Sequence, residues 1–427
     1  MILSLSSTRT VSNAAYASDC VPWPLFRWSD TMKTYNCDIV VVGAGPGGSM
    51  AARYCAEGGL DTILIEKKAE IGAPLRCAEG VSKKWLEEVG IPADPTWIRA
   101  DMKGAIIKSP QGTSFQLDES KAGAEVGYVL ERHLFDKALA KQAAEAGAKI
   151  MMRTSCTGII REEGKIVGIT AICMGEPIEI RAKCVVAADG YECQTARWAG
   201  IDTKLKLSDI DSCIQYRMCN IDVAPDYCEF VIGSVAPGGY IWVFPKGNGV
   251  ANVGIGVAGQ LCKGNADAKM YLDKWIAADP RFKNGQILEI MGGFVSTCPG
   301  LDCAVDDNII LVGDAARIID PITGGGICHA CRTGMYAGKV LTECAKTGDF
   351  SKKALMPYEK MWRDRMEDKL FRNWMAKEKL ATLDDDTIDD LIKMISTADI
   401  KEVTVYNLLK TIKEKYPQVV EGFEDLI

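Results

Sequence analysis

A glycine-rich turn near the N-terminus carries the clearest chemical signal in the sequence. Gly43, Gly45 and Gly48 follow a short β-branched run directly. In such a turn the first glycine permits the bend, the second lets a pyrophosphate approach the backbone, and the third lets a helix pack on the strand. The N-terminus of the helix that follows the turn would face the phosphates. Glu66, 18 residues after Gly48, could accept hydrogen bonds from ribose hydroxyls.

Two further segments extend this chemistry to distant parts of the chain. Asp314 ends a second apolar run, and the sequence Gly-Gly-Gly326-Ile327 follows it. A carboxylate there could hold a ribityl hydroxyl, and a helix starting at Gly326 could offer backbone N–H groups to a flavin ring. Asp189, followed by a glycine, ends a third strand. The first turn alone does not separate NAD from FAD, and this combination favours FAD, although Asp314 by itself could be an ordinary turn residue.

A second group of residues could contact a substrate. Tyr240, Trp242 and Phe244 alternate along one predicted strand, so their side chains share one face. Such a stripe on its own usually packs a core. Cys77 lies beside Arg76, whose charge could favour a thiolate, although an isolated cysteine is more often a packed thiol.

The cysteine pattern argues against a metal centre. The chain has 17 cysteines scattered through predicted strands and helices, which is typical of reduced thiols in a cytoplasmic protein. Cys328 and Cys331 form the CxxC pair, and one such pair cannot supply four zinc ligands. A helix of small residues is the simpler interpretation of this segment, and a redox role is the alternative.

The hydrophobic pattern predicts the elements that must position these residues. A strand over 38–42, a helix over 49–58 and a strand over 62–66 form a βαβ unit. A strand near 124–127 precedes a helix over 128–146, the region 204–293 favours a glycine-rich sheet, and the chain after 348 favours helices. We therefore expect a discontinuous nucleotide-binding domain, an inserted sheet domain over 204–293 and a helical region over 348–427. The nucleotide-binding domain would comprise residues 32–105, 125–203 and 294–347.

These motifs together resemble the glutathione-reductase-type FAD fold, in the α/β branch shared with p-hydroxybenzoate hydroxylase. Within that branch, Pro237-Gly-Gly-Tyr240-Ile-Trp242-Val-Phe244-Pro245 is similar to a signature of the geranylgeranyl reductase family. The segment Pro74-x-Arg76-Cys77-Ala-Glu-Gly80 is similar to the loop that this family carries after its ribose-binding strand. The resemblance is greatest to the archaeal digeranylgeranylglycerophospholipid reductases.

The resemblance implies residue roles and a reaction. Catalytic or substrate-contacting roles fall to Cys77, Tyr240 and Trp242. FAD-binding roles fall to Gly43, Gly45, Pro46, Gly48, Glu66, Lys67, Cys77, Ala78, Gly80, Arg132, Asp189, Asp314, Gly326 and Ile327. The implied activity is an FAD-dependent reductase that saturates prenyl C=C bonds of geranylgeranylated glycerophospholipids. A flavin monooxygenase of the aromatic hydroxylase type and a flavin-containing lipid carrier are the alternatives.

Composition limits the partners and the location. The formal net charge of −7 argues against a nucleic-acid partner, which would require a basic surface. Ferredoxin or NAD(P)H would supply the electrons, because a single dinucleotide fingerprint is present and FAD would occupy it. We expect a cytoplasmic protein with peripheral membrane contact, since the implied substrate is a lipid. Residues 1–31 lack the pattern of a signal peptide, and we interpret them as a disordered or non-native leader.

Overall fold

The computed structural model describes residues 32–118, 127–262 and 267–397, with isolated helical positions at 407, 410 and 413. The predicted leader, residues 1–31, lies outside the described residues. The strands are β1 Lys33–Val42, β2 Thr62–Glu66, β3 Gly80–Ser82, β4 Ile98–Asp101, β5 Gly104–Lys108, β6 Ser114–Asp118, β7 Gly127–Leu130, β8 Lys149–Met152, β9 Thr154–Glu162, β10 Lys165–Cys173, β11 Glu176–Ala187, β12 Ile210–Cys219, β13 Tyr227–Ile232, β14 Tyr240–Gly247, β15 Val250–Ala258, β16 Gln286–Ser296, β17 Val305–Asp306 and β18 Ile309–Leu311. The helices are α1 Pro46–Glu57, α2 Lys83–Glu88, α3 Arg132–Glu145, α4 Gln194–Trp198, α5 Asp267–Ala278, α6 Ile327–Thr347, α7 Lys352–Trp362, α8 Asp368–Leu380 and α9 Asp385–Thr397.

The first sheet brings the nucleotide-binding motifs to one edge. Its main path runs β17-β18-β11-β1-β2-β8, and β1 pairs in parallel with both β2 and β11. The run Ile39–Val42 is buried, as expected for a central parallel strand with helices on its faces. Because β1, β2, β11 and β18 are parallel, their carboxyl ends meet at the same edge. The residues that follow these strands therefore converge there.

Helices α1 and α6 pack against each other closely enough to require glycine. A Cβ atom added at Gly334 would lie 2.2 Å from the carbonyl oxygen of Gly47, and one added at Gly338 would lie 2.4 Å from Tyr54 Cβ. The small residues of α6 thus let it lie directly on α1. This contact fixes α1, and with it the glycine-rich turn at its start.

The second sheet runs β16-β12-β15-β14-β13-β5-β6 and carries the aromatic stripe on β14. Strand β5 pairs in parallel with β13, so residues 104–118 belong to this sheet. The expected domain limits place residues 104 and 105 in the nucleotide-binding domain and assign 106–118 to neither domain. Strand β16 also crosses the expected limit between 293 and 294. Local sequence could not reveal these pairings, because β5 and β13 lie more than 100 residues apart, and the exact domain limits stay a prediction.

A third sheet, β3-β7-β4, corrects the expected helix over 128–146. Residues Gly127–Leu130 form strand β7 and pair with β3 and β4, so α3 begins at Arg132. The predicted strand near 124–127 falls mostly on residues outside the described part. Local pattern misplaced this boundary because strand pairing overrides the helical preference of the segment.

The C-terminal part is helical as predicted, through α7, α8 and α9. Helix α7 packs against α6 and β17 of the first sheet, and Tyr358 Oη donates a hydrogen bond to the Leu311 carbonyl of β18. Helix α9 packs against β6 of the second sheet, and Ser109 Oγ donates a hydrogen bond to Asp389 Oδ1. Within the described ranges, no helix has both the length and the apolar character needed to span a bilayer.

Candidate functional site

A cavity of about 1500 Å³ connects the edge of the first sheet with the aromatic face of the second. One end is lined by the glycine-rich turn and the residues after β2, β11 and β18. The other end is lined by β14 and by α8 and α9. This volume exceeds the roughly 300–1,000 Å³ of a cleft for one drug-sized ligand, so a dinucleotide and a second molecule can be accommodated together.

The glycine-rich turn has the shape of a pyrophosphate cradle. Gly43 has φ +104°, and a Cβ atom there would lie 2.5 Å from the carbonyl oxygen of Ala188. A Cβ atom at Gly48 would lie 1.9 Å from the carbonyl oxygen of Gly43. At Gly45 an added Cβ would meet nothing within 4 Å, and this residue lines the cavity as N-cap of α1. Gly43 and Gly48 are therefore required by protein packing, whereas Gly45 leaves space for a ligand at the helix N-terminus, where Pro46 is the first residue.

Glu66 ends β2 with both carboxylate oxygens engaged by the backbone. Oε2 accepts a hydrogen bond from Ala44 N at 3.0 Å, and Oε1 accepts one from Lys68 N at 2.9 Å. The neighbouring Lys67 also lines the cavity and forms an ion pair with Glu192 at 2.5 Å. These contacts hold the carboxylate beside the glycine-rich turn, where a ribose would lie.

Asp189 provides an unsatisfied polar atom at the same end of the cavity. Its Oδ2 accepts hydrogen bonds from Thr195 N and Thr195 Oγ1, both at 2.8 Å. Its Oδ1 is buried and has no partner among the described residues. Burial raises the pKa of this carboxyl group. A buried acceptor without a partner is costly, so this atom fits a site completed by a ligand donor.

Asp314 lies in the turn Gly313–Ala316, directly after β18. Burial raises the pKa of Asp314, and the charge of Arg132 partly opposes this shift. A Cβ atom at Gly326 would lie 2.9 Å from Asp314 Oδ1, so the start of α6 touches this carboxylate. Gly326 and Ile327 both line the cavity, which brings all these predicted FAD contacts to one place.

Arg132 lines the cavity from the start of α3, but its guanidinium is already paired. Nε and Nη2 donate to the two oxygens of Asp136 at 3.0 and 2.9 Å. Burial opposes its charge, yet Asp136 and neighbouring groups keep the pKa of Arg132 well above its usual value. Contact with a pyrophosphate stays a prediction for this residue.

The Cys77 loop is held by buried polar side chains that the sequence analysis missed. Cys77 Sγ accepts a hydrogen bond from Glu79 N at 3.2 Å. Glu79 is completely buried, and its Oε2 accepts from Arg217 at 2.8 Å, Lys246 at 2.5 Å and Asn252 at 2.7 Å. Glu79 lies within the first family motif and Lys246 directly follows the second, but nothing in local sequence shows that a charged residue will be buried.

Two more predicted residues of this loop also face the cavity. Ala78 and Gly80 line it, and the Ala78 carbonyl accepts a hydrogen bond from Asn252 Nδ2 at 3.1 Å. A Cβ atom at Gly80 would lie 2.8 Å from the Phe244 ring. The loop and the aromatic stripe are therefore in direct contact.

Tyr240, Trp242 and Phe244 all line the cavity. The Tyr240 and Trp242 rings lie 5.8 Å apart in an edge-on arrangement, and Phe230 packs edge-on against Phe244 at 5.4 Å. The Tyr240 hydroxyl donates to the carbonyl of Thr323, next to the glycine-rich start of α6. Burial raises the pKa of Tyr240, so the hydroxyl stays protonated at neutral pH. The catalytic roles of these residues stay predictions.

The CxxC segment lies on α6 and is packed rather than arranged around a metal. Cys331 is buried, and burial raises the pKa of its thiol. His329 packs edge-on against Trp85 at 4.8 Å, and burial lowers its pKa to about 3. Across the described ranges, no group of three or more His, Cys, Asp or Glu residues is arranged to hold a metal ion.

Comparison with known proteins agrees with this geometry. A family model described as an FAD binding domain matches residues 36–214, and one described as a geranylgeranyl reductase catalytic domain matches residues 209–295. Digeranylgeranylglycerophospholipid reductase from Thermoplasma acidophilum is 49% identical over 93% of this chain and 100% of its own length. The protein of the same name from Methanoculleus marisnigri is 46% identical over 90% of this chain and 96% of its own length.

Solved structures show the same fold. A geranylgeranyl bacteriochlorophyll reductase-like protein from Thermoplasma acidophilum has a TM-score of 0.89 at 48% identity and covers 92% of this chain and 100% of its own. The p-nitrophenol 4-monooxygenase from Pseudomonas putida has a TM-score of 0.69 at 15% identity, covering 92% of this chain and 99% of its own, and shares the fold. These matches confirm the predicted p-hydroxybenzoate hydroxylase-like fold. The chain therefore belongs to the geranylgeranyl reductase family and is an oxidoreductase that uses FAD as its cofactor.

Proposed function

We propose that this protein saturates isolated C=C bonds in the prenyl chains of glycerophospholipids. The observation that carries the proposal is the continuity of the cavity, which runs from the FAD-binding edge across the aromatic face of β14 to α8 and α9. A prenyl chain has no polar group at its reacting bonds. Shape and apolar contact must therefore align it, and β14 supplies both.

The protein residues have separate tasks in this reaction. FAD, when bound, supplies the hydride. Tyr240, Trp242 and Phe244 would hold the chain and keep water out, and their ring faces can shelter developing positive charge on the alkene. A proton must reach the second carbon. Cys77 is the candidate that the chain itself offers to hold that proton, at Sγ, and a bound water is the alternative.

Anaerobic single-turnover measurements test the proposed reaction. The protein is reduced with dithionite and mixed with a digeranylgeranyl glycerophospholipid, and flavin absorbance and product masses are followed. We expect flavin reoxidation together with a gain of two hydrogens per saturated bond. Product formation only after oxygen is admitted would instead support a monooxygenase, and binding without reoxidation would support a lipid carrier.

We propose that reduced ferredoxin or NAD(P)H provides the electrons. The proposal rests on the single glycine fingerprint at Gly43–Gly48, which FAD occupies, so a second nucleotide would bind only transiently. Each donor is added anaerobically to the oxidised protein, and the rate of flavin bleaching is compared. Failure of both donors would contradict this part of the proposal.

We further propose peripheral contact with the cytoplasmic membrane through β16. This strand lies at one edge of the second sheet. Its outward face exposes Leu288, Ile290 and Phe294, which are 61%, 61% and 50% accessible. Met291 and Val295 of the same strand line the cavity. An apolar stripe on the wall of a lipid-sized cavity suits a surface from which the lipid enters.

Vesicle sedimentation tests this surface. Replacing Leu288 and Ile290 together by Ser should lower binding to phosphatidylglycerol vesicles by at least about tenfold, because two large apolar side chains no longer enter the bilayer. Met174→Ser is the matched control, since Met174 is 72% accessible on the far hairpin of the first sheet. Equal binding by both variants would contradict docking through β16.

A further inference from the structure

We propose that Gln215 is a positioning residue that fixes Cys77 relative to Trp242. Cys77 belongs to the loop after β2, and Trp242 belongs to β14 in the second sheet. Their relative position decides where a prenyl bond lies when hydride and proton are delivered. The consequence for catalysis rests on the proposed function, whereas the mechanical link between the two residues does not.

Gln215 is buried on β12 with both ends of its amide engaged. Its Oε1 accepts a hydrogen bond from Trp242 Nε1 at 2.7 Å. Its Nε2 donates to the backbone carbonyl of Cys77 at 3.1 Å. An indole N–H can only donate and a carbonyl oxygen can only accept, so a single orientation of the amide satisfies both partners. The side chain therefore acts as a bridge of fixed length between the loop and the wall.

The strand register explains how Trp242 reaches across the sheet to this amide. Gln215 of β12 pairs with Gly254 of β15, and Gly254 pairs with Trp242 of β14. A Cβ atom at Gly254 would lie only 2.3 Å from Trp242 Cζ2. The indole thus lies over the central glycine and reaches the next strand. Three residues in one row across the sheet build the bridge.

The remainder of the loop is anchored independently, which isolates the role of Gln215. Asn252 holds the Ala78 carbonyl, and the charges of Arg217 and Lys246 hold Glu79. Loss of Gln215 would therefore leave the loop attached to the sheet. The freedom gained would be confined to Cys77 and to the Trp242 indole.

Alkylation of Cys77 measures this freedom without using activity. The FAD-bound protein is treated with iodoacetamide, and modification of the Cys77 peptide is followed by mass spectrometry. Gln215→Leu should increase the alkylation rate about two- to tenfold, as expected when one hydrogen bond no longer opposes local opening. Gln116→Leu is the matched control, because Gln116 is exposed on β6 of the same sheet, and it should leave the rate unchanged.

A second variant tests the bridge itself. Trp242→Phe removes the indole N–H and should raise Cys77 alkylation in the wild-type background, but add nothing in the Gln215→Leu background. In single turnovers, Gln215→Leu should lower the rate of prenyl-lipid reduction while FAD content is retained.

An unchanged Cys77 alkylation rate in folded Gln215→Leu would overturn the proposal. Additive effects of the two substitutions would also overturn it, because the link would then not pass through Gln215. If Gln215→Leu does not fold, Trp242→Phe alone decides, and no change in alkylation rejects the bridge. Failure of the wild-type protein to reduce prenyl lipid would reject the proposed function and leave the alkylation result intact.

Discussion

Gly254→Ala adds one methyl group beneath the Trp242 indole without changing any cavity-lining side chain. The new Cβ would lie 2.3 Å from Cζ2, 2.5 Å from Cε2 and 2.8 Å from Nε1 of Trp242. The Gly254 backbone is not in the left-handed region, so alanine can adopt its conformation. The entire effect should therefore come from contact with the ring.

The indole is rigid and is held by Gln215. The clash with the new methyl group therefore cannot be relieved by rotating the end of a flexible side chain. Overpacking of this kind costs about 1–3 kcal/mol. Moving the ring also breaks its hydrogen bond to Gln215, worth about 1 kcal/mol. Together these costs should lower the free energy of unfolding of Gly254→Ala by about 2–4 kcal/mol. The displaced ring should enter the cavity and slow prenyl-lipid reduction about tenfold, which corresponds to roughly 1.4 kcal/mol in the barrier.

Gly256→Ala is the matched control on the same strand. A Cβ atom at Gly256 would lie 3.5 Å from Cys213 Sγ and 3.8 Å from Asp211, which are ordinary contact distances. Both variants are compared by denaturant unfolding, flavin absorbance and anaerobic single turnover. FAD content should be equal in both. Wild-type stability and rate in Gly254→Ala, or equal losses in both variants, would refute the reasoning.

Gly45→Val should abolish FAD binding, because a branched side chain would fill the open space at the N-terminus of α1. Gly45→Ala should retain part of the FAD binding. One bound FAD per chain in Gly45→Val would contradict this prediction. Cys77→Ser should keep FAD but slow lipid reduction or change the number of bonds saturated. Cys262→Ser, at a residue outside the cavity lining, should leave both the rate and the number of saturated bonds unchanged. An unchanged product distribution and rate in Cys77→Ser would reduce Cys77 to a packing role. Burial raises the pKa of Asp211 from 3.8 to about 6, although Lys377 partly opposes the shift. The folded state therefore favours the neutral carboxyl. The contribution of this preference to the free energy of unfolding is complete below pH 3.8 and is lost as the pH rises to about 6. Asp211→Asn should match the wild type in stability near pH 4 and exceed it above pH 6 by up to about 3 kcal/mol in denaturant unfolding, whereas a pH-independent difference would refute the shift.

The sequence alone determined the βαβ unit and its phosphate-binding turn. Gly43, Gly45 and Gly48 are recognisable because the chemistry of a phosphate-binding turn is local: a strand, a turn and a helix succeed one another within a few residues. The alternation of Tyr240 and Trp242 likewise follows from the two-residue period of a strand. In each case the residues that act together are close in sequence, so their spacing carries the information.

The tertiary structure alone decided what surrounds Cys77. Gln215 and Glu79 are 136 residues apart, yet Glu79 is buried within the Cys77 loop and Gln215 is buried against it. Likewise, β5 joins the second sheet only because β13 offers it a free edge. Burial of a polar or charged side chain depends on partners supplied by distant strands, and a single sequence does not encode that pairing in any local pattern. The cofactor cradle could therefore be predicted from spacing, whereas the polar network that positions Cys77 appeared only when the sheets were assembled.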